Sequence, residues 1–142
     1  MFKVVHRQRT THYSRLGTAA VEFAIVSPIF VLLLLGSVEL SRGLMIQQTI
    51  INATREGARE AALPNSTAES VKSKVVDFMA NASIKVSADA VNVSPDPSTA
   101  FNNEQITVTV AVPYKDVRWI PGSYLNKTKL RASTKMRSER LD

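Results

Sequence analysis

The chain has 142 residues, of which 44% are hydrophobic and 21% charged, and it contains no cysteine. That apolar content excludes wholesale disorder, and the missing thiols exclude a disulfide scaffold or a thiolate metal site. The formal net charge is +6, but the excess sits at the two ends: Lys3, Arg7, Arg9 and Arg15 at one, Lys127, Lys129, Arg131, Lys135, Arg137 and Arg140 at the other. No nucleic-acid motif or interleaved aromatic accompanies either cluster, so no nucleic-acid partner is expected.

Residues 1–17 read as a basic leader. Residues 18–38, TAAVEFAIVSPIFVLLLLGSV, are apolar or small apart from Glu22. About 20 such residues cross the roughly 30 Å hydrocarbon core of a bilayer as a helix. The remaining chain is too short to bury such a helix on all sides. The basic flank keeps the N-terminus in the cytoplasm and sends the rest outward. A secretory signal peptide would place small residues after the apolar run. Here they precede it, at Gly17, Thr18, Ala19 and Ala20.

Glu22 is costly in lipid and calls for a partner or for escape to the interface. A cut after Gly17 makes Thr18 the first residue and Glu22 the fifth. The new α-amine then stands close enough to pair with Glu22 of the same or a neighbouring subunit.

Residues 39–62 contain no proline, and Pro64 with Asn65 supplies a stop. A helix over 18–62 is about 68 Å long at 1.5 Å per residue, more than half of it beyond the bilayer. Pro28 is placed to kink it, with Ser27 near the freed backbone. Ala53, Gly57 and Ala61 stack at four-residue spacing beside Thr54, Ala58 and Ala62. This small-residue face is a candidate packing surface for another helix or for the chain's own domain.

Ser66 and Glu69 have the spacing of a capping box. Val71, Val75, Phe78, Met79 and Ala82 follow at helical period, with the helix ending near Asn81. The period then becomes two. Ile84, Val86, Ala88 and Ala90 or Val91 predict a first strand. Residues 94–98 predict a loop. Ile106, Val108, Val110 and Val112 predict the clearest strand. Leu130, Ala132, Thr134 and Met136 predict a last strand with Lys and Arg opposite. Trp119, Ile120, Pro121 and Gly122, between Tyr114 and Tyr124, read as a plug for a small core or as an exposed contact loop. The fold class is α+β: a long transmembrane helix extending out of the membrane, then a small head with a short helix and about three antiparallel strands. The divisions are 1–17, 18–63 and 64–142.

No catalytic constellation is visible. His6 and His12 both lie in the leader. Phosphate-loop and dinucleotide fingerprints are missing, and the carboxylates are scattered. No catalytic residue, cofactor or metal is expected.

The order R-L-G-T-A-A-V-E-F-A-I-V resembles the cleavage region of type IV prepilins, with Gly17 before the cut and Glu22 five residues on. More specifically, the chain resembles TadE-like pseudopilins of the Tad (tight adherence) pilus system. The matching elements are A-V-E-F-A at 20–24, Pro28, the leucines 32–35, G-x-x-E-L-x-R at 36–42 and R-E-G-A-R-E-A-A at 55–62. Further likeness lies at 107–114 and 130–139. The resemblance implies cleavage by a prepilin peptidase between Gly17 and Thr18, with Glu22 and Phe23 serving recognition or N-terminal pairing. It also implies a single-pass bacterial inner-membrane protein with a periplasmic head, assisting Tad-type pilus assembly for surface adherence. The implied partners are a TadF-like pseudopilin, the major pilin and the membrane assembly platform. The alternatives are an uncleaved single-pass protein with an extracytoplasmic binding domain, and an exported domain released beyond Gly36.

Overall fold

The computed structural model describes residues 12–117 and 127–139, with side chains from residue 17 onward. Leader residues 1–11, the aromatic loop residues Trp119, Ile120, Pro121, Gly122 and Tyr124, and Arg140 lie outside the described residues. In chain order the elements are α1 (His12–Ala62), α2 (Ala68–Asn81), β1 (Val91–Ser94), β2 (Gln105–Pro113) and β3 (Lys129–Arg137). This is the expected α+β order of long helix, short helix and three antiparallel strands. The chain divides between Val38 and Glu39 into two compact units, and α1 contributes to both.

In the first unit α1 exposes apolar side chains on every side. Phe23 is 73% exposed and Leu32 68%. No residue of the most apolar stretch is buried within the chain. A core helix of a soluble protein would be covered there. Among the described residues, this is the one helix long and apolar enough to cross a membrane. The helical assignment runs unbroken through Pro28.

The second unit buries one face of α1. Gly43, Ile46, Ile50, Ala53, Thr54, Gly57, Ala58 and Ala61 are buried and recur at three- and four-residue spacing. Val71, Val75 and Met79 are the buried stripe of α2. The sheet order is β1-β2-β3, antiparallel throughout. Val91 pairs with Val110, Val110 with Ala132 and Val112 with Leu130, which aligns the apolar positions on one face. Ile106, Val108, Val110 and Val112 of the central strand are buried, and together with the helix stripes they form the core. Alternation does the sorting: the intervening positions put threonine, serine, lysine and arginine on the opposite face.

Two expectations are corrected. The capping box at α2 is Thr67 and Ser70 in place of Ser66 and Glu69. Thr67 Oγ1 accepts from the Ser70 amide at 3.2 Å, and Ser70 Oγ accepts from the Thr67 amide at 3.1 Å. Ser66 is committed elsewhere: its Oγ donates to Ala61 O at 3.0 Å, satisfying an end carbonyl of α1. The first strand is also shorter than predicted. Ile84 belongs to the end of α2, where its amide donates to Met79 O at 3.0 Å and that of Ser83 to Ala80 O at 2.8 Å. With Ser83 at φ 60, this is a Schellman closure that buries Ile84 beside Met79. Ser87 then caps a 3-10 turn over Ala88–Ala90, and β1 starts only at Val91. Local hydroxyl bonds thus outcompete strand pairing before residue 91.

Asp96 ties the β1–β2 loop to α2. Its Oδ1 accepts from Ser98 N at 2.9 Å, Ser98 Oγ at 2.8 Å and Ala68 N at 3.3 Å. These bonds, those from Ser98 foremost, hold its carboxyl below the ordinary aspartate value.

Thr67→Ala is expected to destabilise the protein by about 1 kcal/mol. Glu69→Gln removes only an exposed pair with Lys72 and is expected to cost roughly 0.5 kcal/mol or less. Denaturant unfolding of the detergent-solubilised chain checks the order. A larger loss at Glu69 would contradict the cap described here.

Candidate functional site

The two informative glycines of α1 differ in what surrounds them. At Gly57 an added Cβ would lie 2.5 Å from Val75 Cγ2 and 3.3 Å from Val108 Cγ1. Only a residue without a side chain lets α1 meet both α2 and the sheet there. At Gly17 an added Cβ would meet nothing within 4 Å. Helix-interior glycine costs about 1 kcal/mol relative to alanine, and among the described residues no packing offsets that cost at Gly17 or at Gly36.

Gly17, Thr18, Glu22 and Phe23 are all exposed on α1. Glu22 has no hydrogen bond or ion pair to a described residue. The helix begins at His12, so the Gly17–Thr18 peptide bond lies in helical backbone. Cleavage there requires local opening, which a glycine eases. Spacing places Glu22 one helical turn beyond Thr18, on the same side of the helix.

Ala53, Gly57 and Ala61 are buried against the chain's own head, among α2 and sheet residues. On the neighbouring ridge Thr54 Oγ1 donates to Ile51 O at 2.8 Å and shares a hydrogen bond of 2.9 Å with Thr134 Oγ1. Gln47 Nε2 donates to Arg131 O at 3.0 Å, a second link from α1 to β3.

Sequence reasoning missed a polar cluster where α1 enters the second unit. Tyr114 is 1% exposed, and its hydroxyl donates to Glu39 O at 3.3 Å. Burial pushes the Tyr114 phenol up, the nearby Glu39 carboxylate adds to this, and Arg42 opposes it. Glu39 Oε1 is enclosed without a hydrogen-bond partner among the described residues. Glu39 and Arg42 stand three residues apart on one helix side, which is the one signal that could have linked them. Among the described residues no group of three or more His, Cys, Asp or Glu is placed to hold a metal ion.

Comparison with known proteins adds one finding. Residues 17–59 match the family described as TadE-like protein. The resemblance drawn from the sequence is borne out over that stretch, which begins at Gly17 and ends short of the segments 107–114 and 130–139. No curated protein and no solved structure matches the chain.

Gly57→Ala exchanges about 1 kcal/mol of helix propensity for an overpacking cost of about 1–3 kcal/mol, a net loss of up to about 2 kcal/mol. Gly57→Leu is expected to cost more. Unfolding midpoints of the solubilised variants check this, and a stabilised Gly57→Leu protein would contradict the close approach.

Proposed function

We propose that the chain is a TadE-like minor pilin, a structural subunit that assists assembly of Tad-type pili for surface adherence. The observation that carries this reading is the family match over 17–59, which starts at the residue before the proposed cut. Residues 18–38 anchor the protein in the bacterial inner membrane, with 1–17 cytoplasmic and the head periplasmic. A prepilin peptidase cuts between Gly17 and Thr18. Among the described residues neither Gly17 nor Gly36 packs against anything, so the proposed role of Gly17 toward the peptidase is supported by its place at the start of the family match. Glu22 then pairs with the new α-amine of Thr18, in the same subunit or the next, and Phe23 contributes to recognition. Pairing offsets the desolvation of both charges. The partners are the TadF-like pseudopilin, the major pilin and the membrane platform. The part played is structural, as the family match implies; from Thr18 onward the chain has no histidine for acid–base catalysis.

The competing reading is an uncleaved single-pass anchor whose head binds an envelope component. The helical backbone from His12 through Gly17 favours it, because a continuous helix resists a peptidase. Two substitutions separate the readings. Gly17→Leu is expected to insert normally and accumulate as the full-length precursor on immunoblots of native membranes in which wild type runs as the shorter mature chain. Glu22→Ala is expected to insert normally but to impair processing or piliation. Normal processing of Gly17→Leu, together with unchanged piliation in Glu22→Ala, would overturn the pilin reading.

A further inference from the structure

The outer face of the sheet carries charge that the fold does not use. Lys129, Arg131, Ser133, Lys135 and Arg137 alternate along β3 and are all exposed. Alternate residues of a strand stand about 6.8 Å apart on one face. Their cross-strand partners on β2 are Pro113, Ala111, Thr109, Thr107 and Gln105, none of them acidic. None of the four cations takes part in an ion pair among the described residues. Arg137 Nη1 donates to Asn103 Oδ1 at 3.3 Å, which orients the guanidinium without neutralising it.

Beside this ladder lies a shallow concavity of about 520 Å³, lined by Lys129, Arg131, Thr107, Thr109, Asn92 and Ser94 among others. The acid in its lining, Asp89, already accepts from Ser87 Oγ at 3.3 Å. The face therefore offers a row of cations flanked by hydroxyl and amide groups. Among the described residues it presents no aromatic platform for stacking bases, and no large apolar side chain to enter a lipid interface. Charge on an edge strand also discourages strand-to-strand aggregation, and β3 is an edge strand. That role requires neither four like charges on one face nor the hydroxyl-lined hollow beside them.

We infer that the outer face of β2 and β3 binds an extended anionic polysaccharide, its carboxylates on the β3 cations and its hydroxyls on the Thr and Asn side chains. This inference depends only on the sheet's outer face and stands apart from the pilus reading.

The test is binding of the full-length detergent-solubilised chain to immobilised polygalacturonate, with dextran as the uncharged control. The quadruple variant K129Q/R131Q/K135Q/R137Q is compared with the charge-matched variant R59Q/K72Q/K74Q/K85Q. Wild type and the charge-matched variant are expected to bind polygalacturonate with an affinity that falls steeply with salt, and the quadruple variant at least about tenfold more weakly. Dextran is expected not to bind. If the quadruple variant does not fold, the two double variants K129Q/R131Q and K135Q/R137Q carry the test, each expected to lose about threefold. Equal losses in the ladder and charge-matched variants would overturn the inference, since net charge alone would then explain binding. It would be overturned equally by no binding in wild type, or by tighter ladder-dependent binding to phosphatidylglycerol vesicles or single-stranded DNA.

Discussion

The head depends on how closely α1 can approach the sheet. That approach is set at Gly57, where the side chains of Val75 and Val108 occupy the space a Cβ would take. The ridge around it is made of alanines and Thr54, so α1 can lie flat on the layer beneath. A head of this size has little core of its own, and small domains bury a modest share of their surface. The buried face of α1 supplies a wall that three strands and the 14-residue α2 could not otherwise provide. Ile46 and Ile50 contribute its large side chains and Ala53, Ala58 and Ala61 its small ones.

The same helix answers to two solvents. Up to Val38 its apolar side chains are exposed all round, a pattern stable only in lipid or against other helices. From Gly43 the helix has one buried face, made of apolar and small residues and Thr54, while Leu44 and Met45 are still exposed. The change falls around Glu39 and Arg42, where the buried phenol of Tyr114 bonds the helix backbone. Gly17 and Gly57 divide along the same lines. Gly57 serves an internal contact, while among the described residues Gly17 meets none. Gly36 shares the open surroundings of Gly17, so what sets Gly17 apart is its place at the start of the family match.

Much of this was legible because hydrophobic period and charge placement are strong signals. The apolar run of 18–38, the alternation of Ile106, Val108, Val110 and Val112, and the 3.6-residue stripe of α2 each specify one element. The small-residue ridge of α1 was visible too, though not what covers it, since spacing describes a face and says nothing of its partner. The errors came where short polar side chains choose between equivalent backbone bonds. Ser66 and Thr67 are both good caps, and a bond from Ser66 to Ala61 O decided between them. Ile84 looked like a strand residue because Ser83, in place of the usual glycine, adopts the left-handed turn that ends α2. The Tyr114 cluster joins residues 75 apart in sequence, beyond the reach of any local pattern.

The account rests on a cut that turns residue 18 into a charged N-terminus beside Glu22. The intact mass of the protein extracted from its native membrane measures this directly. The account predicts a chain that begins at Thr18. A chain that begins at Met1, or at a residue beyond Gly36, would contradict it.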